Sequence, residues 1–376
     1  MNILITGGAG FIGSHLALAL LKKGHTIRVL DNLSEQIHGT DPIITSPLYV
    51  SILNKVEFIK GTVVSRPDWE RALEGQDVVV HFAAETGTGQ SMYEVERYTN
   101  VNIQGTSLLL DILVNTSNTI KKIIIASSRS IYGEGKYISE ELGDVYPKHR
   151  NEKDMLNGDF EVKYAGTKNL KLVGTDENSK IHPSSVYGIT KQVQEQLVMN
   201  VCSAIGIAAV AFRYQNVYGP GQSLSNPYTG ILSIFSTRIR NGLNINIFED
   251  GLESRDFVYI DDVVEATIAG IEKSEANNTV FNVGTGKATT VLEVAKTLMK
   301  KFEIEVPYEV TGMFRLGDIR HNFADIKLLK DLLNVSPKIG FEEGIGKFVS
   351  WVKEQSATED NYESSLEEMR NKGLLK

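Results

Sequence analysis

A glycine-rich turn lies between an apolar strand and a helix at the start of the chain. The run Asn2–Thr6 predicts a buried strand, and Phe11–Lys23 predicts a helix that ends at Gly24. Between them the sequence reads TGGAGFIG over residues 6–13. Glycines let the backbone turn tightly and approach a pyrophosphate, which then binds at the helix N-terminus. The turn therefore predicts a dinucleotide site with contacts from Gly7, Gly10, Phe11, Ile12 and Gly13.

The next predicted strand, Thr26–Asp31, ends on a carboxylate at the expected distance from the glycine turn. A carboxylate at this place can bind both hydroxyls of the adenosine ribose, but it repels a 2′-phosphate. Asp31 therefore favours NAD over NADP as the cofactor. Asn32 and Ser34 follow directly, and we expect them in the same site.

Apolar strands alternate with helical segments through the first half of the chain, which indicates a parallel sheet with helices on both faces. The strands are continuously apolar, as expected for strands buried on both sides. The predicted fold is α/β, a Rossmann doubly wound parallel sheet, with a smaller mixed α/β substrate lobe toward the C-terminus. Further predicted strands are 55–61, 77–81, 121–126, 207–213, 245–248 and 279–283, and the predicted long helices are 91–113 and 186–204.

Changes in this pattern predict the domain organisation. Residues 1–220 form the nucleotide-binding domain, 221–350 a lobe interwoven with it, and 351–376 a charged tail that is a peripheral helix or frayed. Residues 134–183 are polar and aperiodic, which predicts a surface insertion near the active site. Inside the insertion, EVKYAGTKNLKLVGT (161–175) predicts a small hairpin.

Composition excludes several classes of function. The formal net charge of −8 argues against nucleic acid as the main partner, because phosphate backbones need a basic footprint. The single cysteine, Cys202, lies in an apolar helical stretch and is expected to be a buried small hydrophobe. Neither cysteine pairs nor histidine clusters suggest a metal site. No apolar run reaches the roughly 18 residues of a membrane span, and the N-terminus predicts a strand rather than a signal peptide, so we expect a cytoplasmic protein.

A tyrosine and a lysine in YGITK (187–191) carry the predicted chemistry. Tyr187 and Lys191 are four positions apart on a predicted helix, so they share a face. A neighbouring ammonium and the positive nicotinamide would lower the tyrosine pKa from its free value of about 10, making the phenolate a usable base. Ser127 and Ser128 follow the predicted strand 121–126, at the sheet edge where ligands bind, and a serine hydroxyl there would orient the substrate hydroxyl.

Together these motifs resemble the extended short-chain dehydrogenase/reductase family, specifically its NAD-dependent nucleotide-sugar epimerases and dehydratases. The likeness covers about residues 1–350 and is carried by TGGAGFIG (6–13), DNLS (31–34), HFAA (81–84), NIQGT (102–106), SSRSIYG (127–133), YGITK (187–191), RYQNVYGP (213–220), RDFV (255–258) and GD (317–318).

The resemblance implies a role for each matching residue. Ser128, four residues before Tyr132, matches the catalytic serine or threonine, Tyr187 the base and Lys191 its partner. The resemblance places Ala83, Ala84 and Asn102 in the cofactor site, together with Tyr187 and Lys191. Ser91 and Asn216 are expected near the sugar and its diphosphate, and Ser128 at the substrate. Arg255 and Arg315 are expected to bind the phosphates, and Asp318 the nucleotide ribose. A guanidinium fork suits a diphosphate. The resemblance also implies a homodimer through helices at about 91–113 and 186–204, although both helices could simply pack on the sheet.

The residues after Ser128 bear on the reaction. Dehydratases of the family continue with Asp-Glu and uronate decarboxylases keep the Glu, whereas this chain has Arg129 and Ser130. That resembles the 4-epimerases, which invert C4 through a transient 4-keto sugar and regenerate NAD. The segments DNLSEQIHG and GQSMYEVERY and the long stretch before YGITK resemble bacterial dTDP-L-rhamnose 4-epimerases, which implies a dTDP-6-deoxyhexose substrate. Some relatives carry metal-binding cysteines in that stretch, whereas this chain has none there.

Alternatives stay open at this point. UDP-glucose/galactose 4-epimerase is the nearest one; others are a dehydratase or decarboxylase, an enzyme that exchanges NAD as a co-substrate, and a non-catalytic NAD sensor on the same fold. Gly61-Thr62-Val63 departs from the usual Gly-Asp near the adenine, which leaves that contact open. Glu85 and Thr86 stand where epimerases vary and bear on sugar choice.

Overall fold

The computed structural model describes residues 1–224, 226, 228, 230–355 and 362–376. Its strands are, in chain order, β1 Asn2–Thr6, β2 Thr26–Asp31, β3 Glu57–Lys60, β4 Val78–His81, β5 Lys122–Ser128, β6 Tyr137–Ser139, β7 Gly143–Val145, β8 Lys171–Leu172, β9 Ala208–Tyr214, β10 Asn216–Tyr218, β11 Ile245–Ile247, β12 Ser254–Arg255, β13 Phe257–Tyr259, β14 Thr279–Val283, β15 Thr289–Thr290, β16 Tyr308–Val310 and β17 His321–Asn322.

The α-helices are α1 Phe11–Lys22, α2 Glu35–His38, α3 Pro42–Thr45, α4 Pro47–Ile52, α5 Arg66–Leu73, α6 Thr88–Ser91, α7 Val95–Tyr98, α8 Gly105–Asn115, α9 Glu152–Leu156, α10 Val186–Ile205, α11 Ile231–Arg240, α12 Ile260–Glu272, α13 Val291–Phe302, α14 Lys327–Leu333, α15 Phe341–Glu354 and α16 Tyr362–Asn371. A π-helix spans Thr99–Gln104, and 3-10 turns span Arg129–Tyr132 and Ser274–Ala276.

A seven-stranded parallel sheet forms the centre of the molecule, in the order β14-β9-β5-β4-β1-β2-β3. Apolar clusters cover both of its faces, because Leu4, Val79 and Ile123 point to one side and Ile3, Val80 and Ile124 to the other. This confirms the predicted Rossmann fold. The strand order reverses between β1 and β4, and ligands of such sheets bind at the carboxyl ends beside that reversal.

The described part of the C-terminal half contains three short sheets besides its helices. They are the pairs β10-β13 and β11-β16 and the three-stranded sheet β15-β12-β17. The strand β14, however, pairs in parallel with β9 and so completes the central sheet. Residues after 220 therefore contribute both to the small sheets and to the large one.

The predicted long helix over 91–113 is confirmed from residue 95 on and wrong before it. Val95–Asn115 is helical throughout as α7, the π-helix Thr99–Gln104 and α8, whereas residues 92–94 separate α6 from it. The π-helical turn directs the fully buried Asn102 inward, where it bonds to Glu85 and Thr190. Such turns frequently occur at functional sites. The other predicted long helix is confirmed as α10, Val186–Ile205, with Cys202 buried in it.

The predicted hairpin within 161–175 is also wrong. The hairpin of the insertion is β6-β7, and residues 161–175 supply only β8, which pairs antiparallel with the other side of β6. The reason is a shared apolar cluster, since Tyr137, Val145 and Val162 are buried together with Leu170 and Leu172 against them. The first and the later part of the insertion therefore pack together around one small apolar core.

The C-terminal segment is docked, which excludes the frayed tail. Helix α16 buries Leu366 and Met369. Beyond it the backbone of Lys376 exchanges two hydrogen bonds of 3.0 Å with Phe314, so the chain end pairs with the 314–316 segment. None of the helices in the described part of the chain is long and apolar enough to cross a membrane.

Candidate active site

A cavity of about 1000 Å3 opens at the carboxyl ends of the central strands. It extends along the edge from β3 to β9, across the reversal between β1 and β4. The sequence-predicted residues that line it are Gly7, Gly10, Phe11, Ile12, Gly13, Asp31, Asn32, Ser34, Ala83, Ala84, Ser128, Tyr187, Lys191 and Asn216. Fold and cavity therefore bring most of the predicted site together.

The glycine turn is closely packed on the loop after β4. Gly7 has φ +67°, and a Cβ there would lie 2.8 Å from the backbone nitrogen of Ala83. A Cβ at Gly13 would collide with the carbonyl of Gly7. The turn thus keeps its backbone exposed to the cavity at the start of α1, which suits a pyrophosphate.

Asp31 holds the turn from the neighbouring strand. Its Oδ2 accepts the Ala9 N–H at 3.0 Å, and its Oδ1 accepts the Leu33 N–H at 2.9 Å. An ionised carboxylate has about four acceptor sites, so two remain for ribose hydroxyls. These residues fit the adenosine half of a dinucleotide.

At the adenine end, Thr62 and Val63 line the cavity. The Thr62 N–H donates to Asp68 Oδ2 at 2.9 Å, so a carboxylate from α5 fixes this turn from behind. Asp68 itself does not line the cavity. The structure therefore has Thr62 rather than an aspartate at this edge of the cavity, and its contact with an adenine stays a prediction.

Ser128, Tyr187 and Lys191 converge at the end of β5. Ser128 is the last residue of β5, and Tyr187 and Lys191 lie one turn apart at the start of α10. The Ser128 and Tyr187 side chains are hydrogen-bonded, and Ser128 Oγ accepts the Ser130 N–H at 3.1 Å. Lys191 Nζ donates to the carbonyl of Ala126 at 2.9 Å. The geometry brings together the three side chains that the sequence assigns as base, hydroxyl and cation, and these roles stay predictions.

Protonation differs from the sequence-based expectation. Burial raises the pKa of Tyr187, although the bond to Ser128 and the charge of Arg129 oppose the rise. Burial also lowers the pKa of Lys191 to about 7, so its ammonium is only partly charged near neutrality. Desolvation therefore dominates the ionisation of both side chains, and the attraction between phenolate and ammonium that the spacing predicts does not contribute to either pKa.

Two predicted ligand contacts, Ser91 and Asn102, lie behind the cavity wall. Ser91 is fully buried, and its Oγ accepts the Tyr187 N–H at 3.0 Å. Asn102 accepts the Glu85 N–H at 2.8 Å and donates to Thr190 Oγ1 at 3.0 Å. Both residues fix the start of α10, and their direct contact with a ligand stays a prediction.

A charged cluster lies outside the main cavity lining and contains Arg255, Arg315 and Asp318. Arg255 donates to the Arg320 carbonyl at 2.9 Å, and Arg315 bonds to Asp318 at 2.8 Å. Burial opposes ionisation, but the charges of Arg315 and Arg255 hold the pKa of Asp318 well below its usual value. The three residues lie together, outside the main cavity lining, and their binding of phosphate and ribose stays a prediction.

Sequence reasoning missed Arg150, a residue of the insertion that reaches this cluster. Its guanidinium bonds to both oxygens of Glu249, at 2.7 and 2.8 Å, and to the Asp318 carbonyl at 3.1 Å. The side chain is only 3% exposed. No signal in the sequence singles it out, because one arginine in a polar, aperiodic stretch normally indicates a solvated surface.

Comparison with known proteins agrees with this geometry. Residues 3–152 and 164–284 match the model of the NAD dependent epimerase/dehydratase family. A dTDP-L-rhamnose 4-epimerase of Burkholderia thailandensis is 35% identical over 94% of this chain and 95% of its own length. A UDP-N-acetyl-alpha-D-glucosaminuronate decarboxylase of Bacillus cytotoxicus is 29% identical over 93% of this chain and 97% of its own.

Among solved structures, a UDP-glucose 4-epimerase of Thermotoga maritima in complex with UDP-glucose superposes with a TM-score of 0.75. It is 31% identical and covers 94% of this chain and 99% of its own. The match spans the Gly7 turn, Asp31 and the Ser128–Tyr187–Lys191 set. The chain belongs to the NAD dependent epimerase/dehydratase family of nucleotide-sugar enzymes, with NAD as its cofactor.

Proposed function

We propose that this chain is a nucleotide-sugar 4-epimerase that inverts C4 of a dTDP-6-deoxyhexose such as dTDP-L-rhamnose. One observation carries the reaction type. The Ser128–Tyr187 pair faces the cavity, and the two residues that follow Ser128 are Arg129 and Ser130, where an eliminating enzyme needs acids.

The acidic groups at the cavity support this reading. Among the described lining residues the carboxylates are Asp31 and Glu85. Asp31 lies at the adenosine end, bonded to backbone N–H groups. Glu85 is ion-paired with Arg97 at 2.8 Å. Neither is a free acid beside Ser128, so loss of water or carbon dioxide has no obvious proton donor or acceptor besides Tyr187.

In the proposed reaction Tyr187 takes the proton of the C4 hydroxyl, and Ser128 Oγ holds that oxygen. When bound, NAD supplies a reversible hydride acceptor for C4, so the reaction has no net redox change. Lys191 donates to the Ala126 carbonyl one helical turn after Tyr187, and its charge, when the amine is protonated, would favour the phenolate. The 4-keto sugar must then present its opposite face to the cofactor before the hydride returns.

The sugar assignment is supported by the relative of Burkholderia thailandensis, which aligns over 94% of this chain. The Thermotoga maritima structure favours UDP-glucose as the second candidate substrate. Both candidates share the chemistry at C4 and differ in the nucleoside, in the ring configuration of the sugar and in the substituent at C5. The site around Ser128 therefore supports 4-epimerisation for either, and the substrate must be tested.

We also propose that the enzyme is a homodimer. Helices α8 and α10 leave apolar side chains exposed, with Val114 51% and Ile189 48% accessible. Val193 and Leu197 lie half-buried on α10. Pairing these two helices with a second copy would cover this surface.

The test uses purified protein without added cofactor. It is incubated separately with dTDP-L-rhamnose, UDP-glucose and UDP-galactose, and the sugar nucleotides are identified by NMR. We expect a new sugar nucleotide of unchanged mass and no released NADH. A product lighter by water or carbon dioxide would contradict the proposed reaction, and conversion of UDP-glucose alone would contradict the proposed substrate.

A further inference from the structure

Arg129 and Gln215 leave the edge of the central sheet side by side. Ser128 ends β5 and Tyr214 ends β9, and these two residues are partners across the parallel pair. Arg129 and Gln215 are the next residue on each strand, and both line the cavity. Gly284 makes room for this arrangement, because a Cβ there would lie 2.6 Å from Gln215 Cγ.

Both side chains hold buried polar atoms that have no hydrogen-bond partner among the described residues. These atoms are Nη1 of Arg129 and both Oε1 and Nε2 of Gln215. Gln215 is only 5% exposed. Unsatisfied buried polar groups are rare and cost stability, so two that face one cavity indicate that a ligand supplies their partners.

The surroundings of Arg129 indicate which part of a ligand lies there. Its guanidinium lies within electrostatic range of Tyr187 and also of Arg255, Asp318 and Asp256. Under the proposed function, Tyr187 meets C4 of the sugar and Arg255 meets the diphosphate. The pyranose ring spans the distance between those two groups.

The donor and acceptor types agree with a sugar ring. A guanidinium only donates, so Arg129 requires an oxygen acceptor, whereas the Gln215 carboxamide both donates and accepts. Ring hydroxyls satisfy both side chains at once. We propose that Arg129 and Gln215 form a sugar subsite, in which they bind the ring hydroxyls of the nucleotide sugar next to the carbon that Ser128 and Tyr187 act on.

This inference rests on the proposed function for the orientation of the ligand. A binding experiment tests the sugar subsite independently of the proposed reaction. Arg129→Met and Gln215→Leu are made on a Tyr187→Phe background, so that bound sugar is not converted. Calorimetry then compares dTDP with dTDP-L-rhamnose and UDP with UDP-glucose. We expect each substitution to raise the Kd of the sugar nucleotide about tenfold or more, as for the loss of a hydrogen bond to a charged or buried partner. The Kd of the free nucleotide should stay within about twofold of the value without that substitution.

A stability readout distinguishes a ligand-binding role from a structural one. Since Nη1 has no partner among the described residues, Arg129→Met should leave the Tm of the ligand-free protein unchanged or raise it. Gln76→Leu is the matched control, because Gln76 is also 5% exposed with an unpartnered Oε1 among the described residues, but it lies away from the cavity. Arg129→Lys serves as a second variant and should recover part of the affinity.

An equal loss of affinity for dTDP and for dTDP-L-rhamnose would mean that these side chains bind the diphosphate, which would overturn the sugar subsite. Unchanged affinities in both variants would overturn it as well. Selective weakening of a sugar nucleotide that the wild-type enzyme binds but does not convert would uphold the subsite while contradicting the proposed reaction.

Discussion

Lys191 Nζ lies 2.9 Å from the main-chain carbonyl of Ala126, which ties helix α10 to the end of strand β5. Because Tyr187 lies one turn before Lys191 and Ser128 two residues after Ala126, this bond contributes to the distance between the proposed base and the proposed serine, together with the bond from the Tyr187 N–H to Ser91. The arrangement buries a lysine that carries no carboxylate partner among the described residues. Burial therefore acts on its ionisation directly.

The buried lysine predicts a pH dependence of stability. Burial lowers the pKa of Lys191 from 10.5 to about 7. Between those values the unfolded chain binds one more proton than the folded chain, so this group makes the folded state more stable as pH rises and less stable as pH falls toward 7. We expect Lys191→Met to be more stable than the wild type near pH 7, with the difference shrinking toward pH 10. Urea unfolding at equal NAD occupancy measures the free energy of unfolding of both proteins between pH 7 and pH 10. A difference between them that does not change with pH would contradict the lowered pKa.

Tyr187→Phe should remove most turnover and leave NAD binding intact. Loss of a positioned base typically costs about 10²- to 10⁴-fold in rate, while the ring keeps its packing. NAD content after purification and initial rates by NMR check both halves. The matched control is Tyr137→Phe, another buried tyrosine with an unpartnered hydroxyl among the described residues, located in the insertion. Normal turnover in Tyr187→Phe would rule out the assigned base.

Asp31→Ala should weaken NAD binding and reduce discrimination against NADP. The change removes the acceptor of the Ala9 and Leu33 N–H groups and the charge that repels a 2′-phosphate. Bonds to a charged group contribute about 1.5–3 kcal/mol, so NADH titration followed by fluorescence should show a loss of about tenfold or more. Asp77→Ala removes an equivalent bond, to the Asn2 N–H at 2.9 Å, at the opposite end of the sheet and should not alter NADH affinity.

Arg150→Met tests the role of the insertion. The substitution leaves Glu249 and Glu134 buried without this cation, and breaking such pairs costs about 3–5 kcal/mol. We expect a lower Tm and, because the Asp318 carbonyl loses its donor, a higher KM for the nucleotide sugar at unchanged NAD content. Lys163→Met breaks only exposed ion pairs of the same insertion and should change stability by about 1 kcal/mol or less. Equal changes in Tm and in KM for the two substitutions would exclude a role of the insertion in binding the nucleotide sugar.

The proposed dimer predicts that Val193→Glu dissociates the protein. A buried charge on the paired α10 helices would have no partner and would be strongly unfavourable. Light scattering after size exclusion should give twice the chain mass of 41.6 kDa for the wild type and the chain mass for the variant. Val310→Glu, at a residue that is 46% exposed on β16, is the control and should leave the mass unchanged. A monomeric wild type would exclude the dimer.

The fold could be predicted from the sequence because its signals are local. A strand, a glycine turn and a helix in series, with Asp31 ending the next strand, define the start of a Rossmann sheet through backbone geometry alone. The four-residue spacing of Tyr187 and Lys191 is also a local signal, since a helix brings residues at that spacing onto one face. The predicted hairpin in 161–175 failed because a two-residue strand depends on its partner β6 rather than on its own pattern.

Tertiary structure alone decided how the distant parts meet. The sequence by itself determined the Rossmann sheet, the position of Ser128 at its edge and the identity of the residues beside it. Only packing placed Arg150 on Glu249, Asn102 behind Glu85, and Arg129 next to Gln215 across two strands. The protonation of Lys191 and Tyr187 likewise follows from burial, because desolvation depends on every element that closes over a side chain and leaves no trace in the spacing of residues.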